Sequence, residues 1–298
     1  MNDILIGLIL SVIAMIFFAL VNILVSRSLR PDKLLEGIYV TIISSTFIIF
    51  IISLISGQLF QIGTLSPEVW ILYILTGIFN FLLARSFNYT GITHLGPSRN
   101  AAIVATRILF ATFFSVLLLS EAVNVFVFIG VFLAFIGVVL VSLSQNHSQK
   151  PFSFIGLGFA LLTAFFVGLS VVLIRKADLL SDLPIDGVLI AYITASILYT
   201  PIAFHRQFTS KTLYSRKMFA ILAISGIFSG VAQIARYSAL NYSPVVVVAS
   251  IVASTPLGTI IFSFFLNKKY ETINRKLVIG TIITVIGVII VSVAIDLL

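Results

Sequence analysis

Residues 89–106 read YTGITHLGPSRNAAIVAT and residues 237–254 read YSALNYSPVVVVASIVAS, a tyrosine, a run of small residues and a proline near a turn, repeated 148 residues further along. Two more pairs keep the same order. Ile6 to Leu20, IGLILSVIAMIFFAL, returns as IGLGFALLTAFFVGL from Ile155 to Leu169, and Gly130 to Leu143, GVFLAFIGVVLVSL, returns as GTIITVIGVIIVSV from Gly280 to Val293. One apolar match arises easily by chance. Three in register mark an internal duplication, with residues 1–150 and 151–298 as its two copies.

Neither copy has the composition of a soluble domain. The 298-residue chain is 60% hydrophobic and 9% charged, with a mean hydropathy of +1.20, so water is not its main solvent. A bilayer core about 30 Å thick needs roughly 20 apolar residues per helical span. Such runs predict ten helices, at 4–26, 36–56, 69–90, 97–119, 124–144, 152–175, 186–204, 217–240, 245–266 and 275–295. Strands of a membrane barrel would alternate in polarity, whereas Ile4 to Val25 is apolar on every face. Asp3 precedes an apolar run too long for a cleaved signal, so the first helix is expected to remain. The fold expected is an all-α integral membrane protein of ten transmembrane helices. Five spans per copy make the second copy enter the membrane from the opposite face, an inverted-topology repeat.

The net charge of +8 does not point to nucleic acid, because the cations sit in short loops and at helix ends. The odd-numbered loops and adjoining helix ends carry 12 Lys and Arg, from Arg27 to Lys276, and the even-numbered ones only Arg175 and Lys176. The positive-inside rule therefore predicts cytoplasmic odd loops, outside termini and a multi-pass protein of the plasma membrane. With no cysteine in the chain there is no disulfide and no thiolate metal site.

The two five-helix copies, the stretches ARSFNYTGITHLGPSRNAA from Ala84 and ARYSALNYSPVVVVAS from Ala235, and the following Glu121 and Glu271 resemble the EamA family of the drug/metabolite transporter superfamily. The resemblance extends over almost the whole chain. It implies ten helices, a central cavity lined chiefly by helices 1, 3, 4, 6, 8 and 9, and export or exchange of small metabolites such as amino acids. One feature departs from the family pattern: the proline expected in the middle of helix 4 is replaced in the first copy by the region of Arg107, whereas Pro256 keeps it in the second.

Ionisable residues at membrane depth normally face a cavity or a partner. Arg107 lies at the centre of predicted helix 4, on a small or polar face with Asn100 and Ala111. Arg85 and Asn88 lie near the end of helix 3, at positions equivalent to Gln233 and Arg236 in helix 8. With Asn22, Asn80 and Tyr237 these side chains can surround one cavity, so the expected substrate site is Arg107, Asn22, Asn80, Arg85, Gln233, Arg236 and Tyr237. The alternative is that each arginine ties helices together through backbone carbonyls. All ten Asp and Glu residues fall in predicted loops or near helix ends, which leaves a substrate carboxylate or phosphate as the natural partner of Arg107. Arg99, near a helix end, reads as structural, as do Glu121, Glu271, His94 and His205 at the surface. Trp70 with Tyr73 reads as an interfacial anchor, and Pro256 with Thr255 as a hinge or a kink that frees a carbonyl.

A secondary transporter of a small anionic or zwitterionic metabolite is the function expected, working by alternating access, with proton or counter-substrate coupling left open. Phosphorylated or nucleotide-linked sugars are alternative substrates, and a non-transporting receptor or assembly subunit is an alternative role. An enzyme would need acid, base, nucleophile or metal groups converging at one depth. The sequence shows no HExxH, no paired acids and no Gly-Ser nucleophile motif with a buried His, and no cofactor is expected.

Overall fold

The computed structural model describes residues 3–28, 34–95, 100, 103–144, 153–207, 215–255, 257–258, 261–262 and 275–296. Within them the chain forms α1 (Asp3–Ser28), α2 (Leu34–Ser56) and a 3-10 turn (Gln58–Thr64). Next comes α3, a continuous helix over 67–95 made of Pro67–Thr76, a π-helical stretch Gly77–Ala84 and Arg85–Leu95. Then follow α4 (Arg107–Leu119), α5 (Val125–Ser144), α6 (Phe154–Leu180), α7 (Pro184–Gln207), α8 (Arg216–Tyr242), α9 (Val245–Ala253) and α10 (Arg275–Asp296). Serines 66, 153 and 215 start α3, α6 and α8 by accepting the N–H of Val69, Gly156 and Met218. Pro67 occupies the first turn of α3, where its missing N–H has no bond to lose.

Six helices, α1, α2, α3, α6, α7 and α8, are long and apolar enough to cross a bilayer, and α4, α5 and α10 carry shorter apolar stretches. Large apolar side chains cover the outside: Phe47, Ile55, Phe113, Leu117, Phe126, Phe132 and Ile197 are all exposed. An apolar belt of that extent would drive a water-soluble protein to aggregate, and is stable only against lipid. The protein is a multi-pass membrane protein. Inside, Ser and Thr hydroxyls donate back to carbonyls three or four residues earlier, as Ser11, Thr76 and Ser250 do, which satisfies them without water.

The duplication is visible as paired contacts. A methyl on Gly130 of α5 would stand 2.8 Å from the Gly287 carbonyl of α10, and one on Gly280 would stand 2.9 Å from the Gly137 carbonyl. Each contact is the other with the copies exchanged, and α5 and α10 run antiparallel. Gly7 abuts Ser243 as Gly156 abuts Leu95, and Gly77 abuts Ala191 as Gly226 abuts Thr41. The rings of Phe17 and Phe228 lie 5.6 Å apart, those of Phe79 and Phe166 5.4 Å. The copies are therefore related by a pseudo-two-fold axis perpendicular to the helices, as an inverted repeat requires. Thr46 of α2 and Ser196 of α7, equivalent positions, bond to each other at 2.9 Å, which puts the axis between them.

Even-numbered connections share one end of the molecule: Ser243 Oγ donates to Ile4 O, Ile185 N to Gln58 Oε1, Val245 N to Glu121, and Lys176 pairs with Glu68 at 3.1 Å. At the other end Gly156 lies against His94 and Leu95. The helices end close to their predicted limits with four exceptions: α3 and α6 each run five residues further, to Leu95 and Leu180, α4 begins at Arg107, after a turn at residues 105–106, rather than at 97, and α9 ends at Ala253 rather than at 266. In α6 the extension carries Lys176, paired with Glu68 at the surface, and Asp178, which finds Tyr73 inside the fold, so neither charge ends the helix.

Candidate functional site

Arg107 opens α4 and Arg236 lies in the last two turns of α8, one from each copy. Both line a cavity of about 20 Å³ together with Ala111, Val167, Gly168, Val171, Val248, Ala249 and Val252. It lies among α4, α6, α8 and α9, four of the six helices expected around the centre. Gly168 lets α6 approach α4, for a Cβ there would come 2.9 Å from Ala111 N. Among the described residues no carboxylate lines the cavity, and the two charged groups that do are both cations near enough to repel each other. A space of this size holds about one water. A metabolite enters only if the surrounding helices part.

Arg107 is not left to itself. Its Nη2 donates to Val252 O at 3.2 Å, and Thr255 Oγ1 donates to the same oxygen at 2.6 Å. Pro256, outside the described residues, explains why that carbonyl is available: a proline has no N–H to give to the residue four positions earlier. By the 148-residue offset Arg107 and Thr255 are equivalent positions, and both meet at the carbonyl that the second copy's proline frees.

Arg236 is 5% exposed, and its Nε and Nη2 have no hydrogen-bond partner among the described residues. Its guanidinium lies 5.7 Å from the centre of the Tyr237 ring, a cation–π contact that partly offsets the loss of water. Of the other expected site residues, Gln233 and Asn80 are buried, with Gln233 Oε1 and Asn80 Nδ2 also lacking partners among the described residues. Asn80 sits in the π-helical stretch. Arg85 is half-buried with its guanidinium over the Phe81 ring at 5.6 Å. Asn22 is exposed. The structure thus brings Arg107 and Arg236 to one cavity with Tyr237 beside them, while Asn22, Asn80, Arg85 and Gln233 do not line it.

Three readings of the sequence are corrected. Tyr73 is no interfacial anchor: it is fully buried and donates to Asp178 Oδ1 at 2.6 Å. Asp178 and Asp186 stand near helix ends as expected, yet both are buried, 2% and 0% exposed, each with an Oδ2 that has no partner among the described residues. The protein therefore does hold internal carboxylates. Glu121 is not solvated: both its oxygens accept the Val245 N–H, at 3.1 and 3.2 Å, and it pairs with Arg175 at 3.9 Å. It caps the start of α9 from the other copy, at the positive end of the helix dipole. Burial raises the Glu121 carboxyl above its ordinary value, and the Val245 N–H, Arg175 and Ser115 offset part of that rise. Exposed His94 agrees with its surface reading, whereas Arg99 and Glu271 lie outside the described residues. No three His, Asp or Glu side chains converge among the described residues.

Comparison with known proteins follows the same two-copy division. The EamA-like transporter family matches residues 5–143 and again residues 154–293. No curated protein matches the chain. A protein of known crystal structure superposes with a TM-score of 0.76 at 15% identity, over 99% of this chain and 97% of that one, a likeness of fold alone. With nearly its whole length accounted for by two copies of one family unit, the chain belongs to the EamA-like transporter family, within the drug/metabolite transporter superfamily.

Proposed function

We propose that the protein is a secondary transporter of a small metabolite carrying a carboxylate or other anionic group, working by alternating access between its two inverted halves. The observation that carries this reading is the meeting of Arg107 and Arg236, one from each copy, at a cavity that no carboxylate lines among the described residues. Two guanidinium groups facing each other repel, and an anion between them turns that repulsion into two charge-assisted bonds. Because the arginines belong to opposite halves, an anion binding both ties the halves together, which is what a carrier needs from its substrate before it reorients. Asn80, Arg85, Gln233, Tyr237 and Asn22 would shape the remainder of the path once the helices part.

Ten spans, with residues 1–150 and 151–298 as the units, give this cycle its geometry, and the plasma membrane with cytoplasmic odd loops gives it its setting. A single cysteine at Ser210 should resist a membrane-impermeant maleimide from outside intact cells. Labelling there would reverse the orientation. The paired arginines also favour a second class of substrate, phosphate monoesters, whose dianion matches two cations better than one carboxylate does. Thermal-shift screening against carboxylates, amino acids and sugar phosphates, followed by uptake of the hits into proteoliposomes, decides the class. A ligand at 100 times its Kd stabilises the native state by about 2.7 kcal/mol. If hits bind but none is moved into vesicles, the receptor role replaces the transporter.

A further inference from the structure

The cavity described above does not use Asp178. Asp178 lies near the end of α6, buried, while Leu179 and Leu180 beyond it are exposed. Oδ1 accepts the Tyr73 hydroxyl at 2.6 Å and Oδ2 has no partner among the described residues. The Tyr73 ring stacks on Tyr237 with centroids 6.3 Å apart, and Tyr237 carries the Arg236 guanidinium over its face. An unbroken buried chain thus runs from Asp178 through Tyr73 and Tyr237 to Arg236, which lines the cavity. Asp186, the other buried carboxylate, has no such link: it is held by the Ser53 hydroxyl of α2.

We propose that Asp178 is the binding site of a coupling proton, linked through Tyr73 and Tyr237 to Arg236, so that proton and anion bind cooperatively. The word coupling rests on the transport reading; the site does not. A proton from the aqueous phase adds to Oδ2, converting carboxylate to carboxylic acid, and the same proton leaves when Asp178 is next exposed to solvent. As an anion, Oδ2 is a buried acceptor without a donor, an expensive state; as an acid, it is neutral. The groups that face Asp178 are Tyr73 from α3, Tyr237 from α8 and, on its own helix, Arg175, whose charge acts on it. Arg175 in turn faces Glu121 and donates to the Leu240 and Asn241 carbonyls at the end of α8. Protonation turns the acceptor of the Tyr73 hydroxyl from a carboxylate into a carboxylic acid, and the stacked Tyr237 passes that change to Arg236, whose setting then favours an anion in the cavity. By linkage an anion in the cavity favours the proton.

The experiment needs no identified substrate. The chain has no cysteine, so Ala111→Cys places one reporter at the cavity. Infrared spectra of the reconstituted protein, taken as pH falls, should show a protonated-carboxyl component that is lost in Asp178→Asn and kept in Asp186→Asn and in Glu121→Gln. Over the same titration, maleimide labelling of the reporter should change about five-fold or more in the parent. It should be flat in Asp178→Asn and flat in Tyr73→Phe, although the Tyr73→Phe protein still shows the band. A parent spectrum from which Asp178→Asn removes no component, or a component present unchanged at every pH, overturns the proposal, as does labelling that titrates equally in all variants. If Asp178→Asn does not fold, Tyr73→Phe decides alone: it must keep the band and lose the labelling response. If band and response both hold while vesicles move no metabolite at any pH, the transport reading fails and the proton site stands.

Discussion

The two halves are built on one plan, and where they differ is informative. From Gly77 to Tyr89 the first copy takes 12 steps along the chain; from Gly226 to Tyr237 the second takes 11. Both ends of each segment keep equivalent partners, Gly77 with Ala191 and Gly226 with Thr41 at the start, Leu95 with Gly156 and Ser243 with Gly7 beyond the end. The extra residue must be absorbed between them, and it lies where α3 widens into the π-helical stretch Gly77–Ala84, while α8 is regular throughout. A π turn is how a helix accommodates one residue too many without losing its register at either end, and such turns gather at functional sites. The second difference is Arg107 against Thr255, both donating to Val252 O. The scaffold is nearly symmetric and the site is not: each half brings one arginine to the cavity, from a position where the other half has Thr255 or Asn88.

Several measurements break or sharpen this comparison. The largest effect belongs to the shared scaffold. Gly130→Leu should remove most of the folded protein, because even a Cβ there would meet the backbone of α10, at 2.8 and 2.9 Å; overpacking of a rigid site costs about 1–3 kcal/mol or more. Gly158→Leu, where nothing lies within 4 Å, should melt like the parent. Equal losses would mean that α5 and α10 do not pack as described. Next is Arg107→Gln, which should leave the apo melting temperature nearly unchanged yet weaken a hit from the ligand screen by about 1.5–3 kcal/mol, the range for a bond to a charged group. Arg107→Lys should recover part of this, and Thr255→Val, which removes no charge from the cavity, should cost little of it.

Deleting Leu83 from the π stretch tests the insertion itself. The shortened α3 should remain folded and lose less stability than α8 does when Val231 is deleted, since only α3 has a residue to spare; circular dichroism melts compare them. The smallest effect concerns Glu121. Its folded carboxyl sits above the ordinary 4.5, so the native state binds the proton more tightly than the unfolded chain. Stability contributed by that proton is present below about 4.5 and falls as pH rises through the folded value. Glu121→Gln should flatten the melting temperature over that window, by about 1 kcal/mol or less for a single group. An unchanged slope would assign the acid dependence to another carboxyl.

Much of this was legible in residue order. Apolar run lengths located most of the helices, though not the start of α4 or the end of α9, the three repeated stretches located the symmetry, and Arg107, a cation within an apolar run, lines the cavity. What was not legible depends on partners distant in sequence. Tyr73 and Asp178 are 105 residues apart, and nothing local distinguishes a tyrosine at a lipid interface from one bonded to a buried acid. Glu121 follows a helix like any surface glutamate, and only the antiparallel return of the second copy brings Val245 to it. The π turn was hidden in the change of offset between TGIF at 76–79 and SGIF at 225–228, 149 apart, and the tyrosines 148 apart. That signal is a single residue wide.

The bond between Thr46 and Ser196 has a further consequence. Operations of an inverted repeat exchange one half's shape for the other's, so a contact away from the axis is swapped for its mirror counterpart when the carrier turns over. A contact on the axis maps onto itself. On the proposed cycle the seam between α2 and α7 is the fulcrum of the rocking motion, the place where the two shapes coincide. A pair of cysteines at positions 46 and 196, oxidised to a bridge, should leave the cycle running, while a bridge between positions 7 and 243 should stop it with one side shut.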